Sequence, residues 1–251
     1  MSKIYLSFDS KYTKKNQRVN VIMPNGEVKY IIMLLHGLGG DENTIATKMD
    51  LESLSNQYNI SFVLPNGDRS FYTLIGDNLD YYNYLKEEVW EYVKPLYPQP
   101  LSHYAKIIGG ISMGGYGAWM QTLDANDFYQ GLILISPSLD IVSRDPIKRA
   151  SKEHRDEWIS MFGDQLQPQY DLFQYQLNRS IKYYIACGQE DYLLEATTKF
   201  INHLHAHNLE TQINIQPGKH NKHFFYPQLA HGIKTMVTLI NLLERYEKIN
   251  K

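Results

Sequence analysis

Residues 106–123 read KIIGGISMGGYGAWMQTL, and they place a serine in a sharp turn between two regular elements. The apolar, β-branched run KIIGGI predicts a buried strand, and MGGYGAWMQTL predicts a helix. Between them, Gly110-Ile111-Ser112-Met113-Gly114 matches G-x-S-x-G, a pattern that is informative only in this strand–turn–helix setting. Small residues flank the serine because strand and helix pass very close together there. Ser112 is therefore the candidate nucleophile, and the alternative is an incidental serine in a glycine-rich turn.

Further apolar runs on both sides of this segment extend the alternation of strands and helices. Runs such as YIIMLL (30–35) and GLILI (131–135) suit strands buried on both faces of a parallel sheet. Strand and helix alternate at least five times, which predicts a doubly wound, mostly parallel α/β sheet. The predicted strands are 3–9, 18–23, 30–35, 60–64, 104–111, 131–135, 182–186 and 211–215, and the predicted helices are 41–55, 78–97, 113–123, 195–207 and 225–246.

Residues 140–179 interrupt this alternation. The segment of 40 residues has no clear strand, and it mixes charged residues with the aromatics Trp158, Phe162, Tyr170, Phe173 and Tyr175. A loop of that length in a compact domain is usually functional or carries its own helices. We therefore predict an insertion that folds over one end of the sheet and helps to shape a pocket.

Composition excludes several classes of protein. In the 251 residues, 25 Lys and Arg stand against 27 Asp and Glu, so the basic excess of a nucleic-acid-binding protein is absent. Hydrophobic residues make up 43%, which is enough for a sizeable core and excludes a disordered chain. The single cysteine, Cys187, cannot form an intramolecular disulfide.

The sequence also predicts the cellular location and the number of domains. No apolar run reaches the ~18 residues of a membrane span, and MSKIYLSFDSKYTKK (1–15) lacks the apolar segment of a secretion signal. We expect a cytoplasmic, globular protein with a single domain over 1–251, and neither nucleic acid nor a membrane as partner. A homo-oligomer is compatible with the sequence.

The glycine-rich loop His36-Gly37-Leu38-Gly39-Gly40 follows the apolar run 30–35. In α/β-hydrolases a loop at the end of an early strand donates one N–H group to the oxyanion, and the residue after the nucleophile donates the other. The amides of Leu38 and Met113 are the candidate donors, with Gly37 and Gly39 as alternatives to Leu38; His36 is expected to be structural. The loop is not a dinucleotide fingerprint, because G-x-G-x-x-G would need glycine where Glu42 stands.

A serine nucleophile needs a histidine base and a carboxylate that orients it. The α/β-hydrolase order is Ser, then Asp or Glu, then His. Asp191 follows the predicted strand 182–186, at the carboxyl end where open α/β sheets gather their sites, and Glu190 is the neighbouring alternative. His220 follows the last predicted strand, and His223 competes with it for the role of base. Two further carboxylates, Asp140 and Asp164, lie in the insertion and rank below Asp191.

Three histidines raise the question of a metal site. His203, His205 and His207 form H-x-H-x-H, but on a helix only the first and last share a face. No carboxylate or cysteine stands at ligand spacing beside them. We therefore predict neither a metal site nor a cofactor.

Six blocks, taken in order, resemble the tributyrin esterase group of the α/β-hydrolases, which is related to esterase D and the S-formylglutathione hydrolases. These blocks are LLHGLGGDENT, LPNGDRSFYT, LDYYNYL, GGISMGGYGAW, CGQEDYLLEA and GKHNKHFFYPQL, and the resemblance runs from about residue 30 to residue 229. One departure is Asn221-Lys222-His223, where family members often carry an aromatic soon after the histidine. By this resemblance Ser112 is the nucleophile, Asp191 the acid and His220 the base, with Leu38 and Met113 giving the oxyanion amides.

The resemblance implies a serine carboxylesterase that hydrolyses short-chain acyl or acetyl esters of small molecules without a cofactor. Within the same class, the alternatives are a thioesterase of the S-formylglutathione type and an esterase that removes acetyl or feruloyl groups from carbohydrate. Outside it, the alternative is an inactive hydrolase fold that serves for binding. The presence of serine, aspartate and histidine in the expected order favours the enzyme.

Overall fold

An eight-stranded sheet with the strand order β1-β2-β4-β3-β7-β8-β9-β10 forms the centre of the computed structural model, which describes residues 2–76, 78–123, 127–144, 148 and 151–249. Within this sheet β4, β3, β7, β8, β9 and β10 run parallel, whereas β1 and β2 join antiparallel beside β4. The strands of this sheet are β1 (Ser2–Asp9), β2 (Asn16–Met23), β3 (Tyr30–Leu35), β4 (Ile60–Pro65), β7 (Ala105–Ile111), β8 (Gly131–Ile135), β9 (Lys182–Gly188) and β10 (Thr211–Gln216). The predicted mostly parallel α/β fold is confirmed.

Helices cover both faces of this sheet. The α-helices are α1 (Leu51–Tyr58), α2 (Tyr81–Asn83), α3 (Val89–Val93), α4 (Met113–Leu123), α5 (Ile141–Arg144), α6 (Lys152–Phe162), α7 (Leu194–Ala206) and α8 (Lys222–Ile249). A π-helical turn (Tyr84–Glu88) joins α2 to α3, and 3₁₀ turns lie at Lys94–Leu96, Leu101–His103, Pro168–Tyr170 and Leu172–Gln174. A separate small hairpin consists of β5 (Leu74–Ile75) and β6 (Leu79–Asp80). In the part of the chain that is described, no helix combines the length and the apolarity that a membrane crossing requires.

Strand β3 shows why a continuous apolar run marks a buried parallel strand. Its six side chains are all buried, and they alternate between the two faces of the sheet. Ile31, Met33 and Leu35 join the apolar cluster that includes α3, α4 and α7. The three other side chains of the strand join the cluster that includes α1 and α8. Both faces therefore need apolar residues, and no polar alternation appears in the sequence.

The helix predicted over 41–55 is wrong, since the helix α1 begins only at Leu51. The Asp41 carboxylate accepts hydrogen bonds from the Asn43 N–H and the Thr44 hydroxyl, at 3.0 and 2.8 Å. Such local side-chain bonds compete with helix formation and leave turns instead. The helix is capped later, where Asp50 accepts from the Ser53 N–H at 2.9 Å.

The insertion 140–179 contains α5, α6 and two 3₁₀ turns, and its described residues contain no strand. Trp158 and Phe162 of α6 stack on each other and pack around Phe71. The insertion is also tied to α4, because the Tyr116 hydroxyl donates to the Tyr170 carbonyl at 2.9 Å. These contacts hold the insertion over the carboxyl ends of the parallel strands.

Candidate active site

Ser112 occupies a strained turn between β7 and α4. Its φ of +54° is a left-handed value that side-chain-bearing residues rarely adopt. The surrounding glycines are required by close approach: a Cβ on Gly110 would overlap the Gly114 carbonyl, and a Cβ on Gly114 would overlap the Leu35 carbonyl. The turn therefore holds the serine at the N-terminus of α4, at the end of the sheet where β3 also stops.

The structure brings Ser112, His220 and Asp191 together. His220 Nε2 lies 3.1 Å from Ser112 Oγ, and its Nδ1 lies 2.9 and 3.0 Å from the two carboxylate oxygens of Asp191. A carboxylate only accepts hydrogen bonds, so Nδ1 carries the proton and Nε2 is left to accept one from the serine. This arrangement can remove a proton from the hydroxyl when the oxygen attacks a substrate.

Asp191 is only 5% exposed, yet the pKa of its carboxyl group is lowered. Burial alone would raise the pKa, since it penalises the charged form. Hydrogen bonds from the His220 ring and from the Leu193 N–H outweigh that effect. Asp191 is therefore ionised at neutral pH and accepts the hydrogen bond from His220 Nδ1.

Glu190 and His223, the alternatives for acid and base, make other contacts. Glu190 accepts from the Gly218 N–H through its carboxylate, and its own N–H donates to the Gly218 carbonyl at 3.0 Å. It thereby ties the loop after β9 to the loop that carries His220. His223 is exposed in the first turn of α8, where its N–H donates to Asn221 Oδ1 at 3.0 Å.

Two aromatic rings, which the sequence analysis did not single out, flank His220. The Tyr192 ring centre lies 4.6 Å from that of the imidazole, and the Phe225 ring centre lies 4.8 Å from it. Both residues belong to the sequence blocks quoted above, but nothing in their spacing indicates that they meet. The sequence therefore shows that both aromatic residues are there, but it does not show that their rings contact His220.

The loop after β3 packs directly against the serine turn. A Cβ on Gly37 would lie 3.6 Å from Ser112 Cβ and 3.3 Å from the Ile111 carbonyl oxygen, so the loop and the turn are in contact. In the described residues, the N–H groups of Leu38 and Met113 donate to no other protein atom. Gly37, Leu38 and Gly39 all line the cleft in front of Ser112. The loop and the start of α4 thus offer backbone donors beside the serine oxygen.

His36 supports this loop from behind. Its buried ring accepts a hydrogen bond from the Gly67 N–H at Nε2, at 2.9 Å, and its Nδ1 lies 2.9 Å from the Gly37 carbonyl. An N–H donor facing Nε2 requires the neutral ring with the proton on Nδ1. Burial lowers the pKa of His36, which favours the same neutral form.

The cleft in front of Ser112 has a volume of about 680 Å³. Its two walls come from opposite faces of the sheet. One wall contains Phe71, Ile141 and Trp158, and the other contains Ile45, Phe225 and Tyr226. The insertion 140–179 therefore contributes to the cleft, as predicted, while the start of α8 adds a wall that the sequence did not predict.

The three histidines considered as metal ligands, His203, His205 and His207, are not placed to hold an ion together. The rings of His203 and His207 lie 4.6 Å apart at the end of α7. Among the residues that the structure describes, no three His, Cys, Asp or Glu side chains are placed to hold a metal ion.

Known proteins resemble this chain over nearly its full length. A family model described as "Putative esterase" matches residues 10–241. An acetyl esterase from Caldicellulosiruptor saccharolyticus is 26% identical, and the alignment covers 94% of this chain and 98% of the relative.

Solved structures of other proteins share this fold. FphF, a fluorophosphonate-binding serine hydrolase of Staphylococcus aureus solved with substrate bound, gives a TM-score of 0.80 at 25% identity. The S-formylglutathione hydrolase FrmB of the same organism, solved as the apoenzyme, gives 0.78 at 25% identity. Each alignment covers 94% of this chain and 98% of the other chain. The neighbours are serine hydrolases with the α/β-hydrolase fold.

Proposed function

The chain belongs to the esterase family and is a carboxylic ester hydrolase, and from that premise we propose that it is a serine carboxylesterase acting on short-chain acyl and acetyl esters. Ser112 is the nucleophile, His220 the base and Asp191 the residue that orients the base. The observation that carries this proposal is the continuous hydrogen-bonded path from the Asp191 carboxylate through the imidazole to Ser112 Oγ, open to the cleft.

The first half of the proposed reaction forms an acyl-enzyme. Ser112 Oγ attacks the acyl carbonyl while His220 Nε2 takes the hydroxyl proton. The carbonyl oxygen gains negative charge, which the N–H groups of Leu38 and Met113 and the N-terminus of α4 stabilise. His220 then gives its proton to the departing alkoxide, and the alcohol leaves.

The second half releases the acid. Water enters the place of the alcohol, and His220 Nε2 removes one of its protons as the oxygen attacks the acyl-enzyme. The tetrahedral intermediate collapses, the bond to Ser112 Oγ breaks, and the serine regains a proton from the imidazolium. Asp191 stays ionised throughout and stabilises the imidazolium that forms in each half.

A panel of substrates tests this proposal and separates it from its alternatives. We expect p-nitrophenyl acetate and butyrate to be hydrolysed with a higher kcat/KM than S-formylglutathione, acetylated sugars or methyl ferulate. Faster turnover of the thioester would favour the thioesterase alternative, and faster turnover of the sugar or feruloyl ester would favour a carbohydrate esterase. Hydrolysis of none of them would contradict the proposal.

The wall formed by Phe71 and Trp158 predicts a preference for short acyl chains. Their ring centres lie 4.9 Å apart, and Phe162 stacks on Trp158, so the wall is packed against neighbouring rings. We expect butyryl esters to react faster than decanoyl esters, and Trp158→Ala to raise kcat/KM for decanoyl esters by ~10-fold, because a hydrophobic pocket discriminates by size to about this extent.

The control for this experiment is Tyr175→Ala, which removes an exposed aromatic of the same insertion that does not line the cleft. Steady-state rates over C2 to C10 esters give the comparison. A wild-type enzyme that prefers decanoyl esters, or equal effects of the two substitutions, would contradict the assignment of the acyl wall to Trp158.

Chelators provide a further check, because each step above uses only groups of this chain. We expect kcat and KM for p-nitrophenyl butyrate to stay within experimental error after dialysis against EDTA. Loss of activity that zinc or another divalent ion restores would contradict the proposed mechanism.

A further inference from the structure

Phe71 and Tyr72 are consecutive residues with left-handed backbone angles. Their φ values are +51° and +57°, and neither is a glycine. Bulky side chains disfavour this region sterically, so surrounding contacts must hold both residues there. Such outliers concentrate at functional sites, which directs attention to what the two side chains contact.

The backbone conformation sends the two rings to different parts of the proposed site. Phe71 lines the cleft and packs edge-on against Tyr116 of α4, with ring centres 5.8 Å apart. Tyr72 is fully buried, and its hydroxyl donates to the His36 carbonyl at 3.1 Å. The His36 carbonyl belongs to the peptide that carries the Gly37 N–H, one peptide before the one that carries the Leu38 N–H.

The ring of Tyr72 is fixed by two close approaches. A Cβ on Gly117 would come within 2.5 Å of the ring, so the ring lies against the backbone of α4. A Cβ on Gly67 would overlap the ring from the other direction. One side chain thus spans from the helix that begins at Met113 to the loop that carries Leu38.

The loop needs such an anchor, because its glycines do not define the direction of its amides. Gly37, Gly39 and Gly40 leave the backbone free to adopt many conformations. Residues 66–72 hold the loop at two points, since the Gly67 N–H donates to the His36 ring and the Tyr72 hydroxyl donates to the His36 carbonyl. The second bond sets the orientation of the peptide that carries the Gly37 N–H, and His36 Nδ1, 2.9 Å from the Gly37 carbonyl, holds the next peptide, which carries the Leu38 N–H.

We propose that Tyr72 is a positioning residue for the oxyanion hole, holding the Leu38 N–H in register with the Met113 N–H. This inference rests on the proposed function, because it assumes that both amides stabilise the charge that develops on the substrate. Tyr72 touches neither the substrate nor the reacting atoms, and it acts through the His36 peptide.

The proposal predicts a specific kinetic signature. Oxyanion donors act mainly in the transition state, so their loss lowers kcat and leaves KM nearly unchanged. Removal of one donor outright costs ~10²–10³-fold in kcat. Loss of the anchor misdirects the donor without deleting it, so we expect Tyr72→Phe to lower kcat by ~10-fold with KM within about twofold.

Tyr116→Phe is the matched control. Tyr116 is also fully buried, and its hydroxyl also donates to a backbone carbonyl, that of Tyr170, at 2.9 Å. Both substitutions therefore delete one buried hydroxyl and leave one backbone carbonyl without its donor, while the aromatic packing stays. A merely structural role for Tyr72 predicts similar behaviour of the two variants.

The experiment measures Tm, kcat and KM for p-nitrophenyl butyrate, and the inhibition constant of an alkyl trifluoromethyl ketone, in the wild type and both variants. Ser112 Oγ adds to the carbonyl carbon of the ketone, and the oxyanion that forms occupies the oxyanion hole. Rates are expressed per serine that a fluorophosphonate probe labels at completion, so that incomplete folding does not affect kcat.

We expect similar losses of Tm in the two variants, but a ~10-fold loss of kcat and a ~10-fold weaker ketone only for Tyr72→Phe. An active wild type with equal kcat and equal ketone inhibition in the two variants would overturn the inference alone. A rise in KM without a loss of kcat would overturn it as well. A wild type that hydrolyses no ester would overturn the proposed function, and this inference with it.

Discussion

Replacing Ser112 by alanine leaves a folded protein whose kcat falls by ~10³-fold or more. The Ser112 hydroxyl has His220 as its side-chain partner and faces the cleft, so its loss costs little packing. Without the serine oxygen no acyl-enzyme forms, and only uncatalysed attack by water within the site remains. Circular dichroism melting and p-nitrophenyl butyrate hydrolysis measure the two expectations separately.

Ser138→Ala is the control for this substitution, because Ser138 lines the same cleft and its N–H donates to the Ser112 carbonyl at 3.0 Å. We expect it to keep kcat within a few-fold of the wild type. A fluorophosphonate probe should label the wild type and Ser138→Ala but not Ser112→Ala. Retention of a tenth of the activity by Ser112→Ala would contradict its assignment as nucleophile, and absence of labelling in the wild type would favour an inactive fold used for binding.

The serine turn could be predicted from sequence because its determinants are local. Gly110 and Gly114 are dictated by backbone atoms within a few residues or on the adjoining strand, and the apolar runs on both sides identify the strands. The meeting of Asp191 and His220 at the serine could be predicted from their positions after two strands. Parallel strands end at the same edge of a sheet, so residues directly after them converge whatever the details of packing.

The parts that could not be predicted depend on particular side-chain contacts, some of them local and others between residues distant in sequence. The helix expected from residue 41 fails because the Asp41 carboxylate satisfies nearby donors, and apolar spacing does not register that competition. The rings of Tyr192 and Phe225 meet His220 only after two loops are assembled. Nothing in RSFYT (69–73) indicates that two aromatic residues in succession adopt positive φ, because no local rule favours it.

The choice between His220 and His223 gives the second large effect. Only His220 lies between Ser112 Oγ and the Asp191 carboxylate, with hydrogen-bond distances of 3.1 Å and 2.9 Å. His223 is exposed, and the helix α8 fixes its direction. We expect His220→Ala to lower kcat by ~10³-fold or more, nearly as much as Ser112→Ala, because the members of such a triad act as a unit. His223→Ala should change mainly KM.

The double variant Ser112→Ala/His220→Ala makes this argument quantitative. If the imidazole acts only through the serine, its removal from a protein that already lacks Ser112 costs little more, and the two losses are far from additive. Independent roles would instead multiply the two ~10³-fold losses. Rates for Ser112→Ala, His220→Ala and the double variant decide between these outcomes. An inactive His223→Ala beside a His220→Ala that keeps substantial turnover would reverse the assignment, and would mean that the loop between β10 and α8 places a different ring against the serine during turnover.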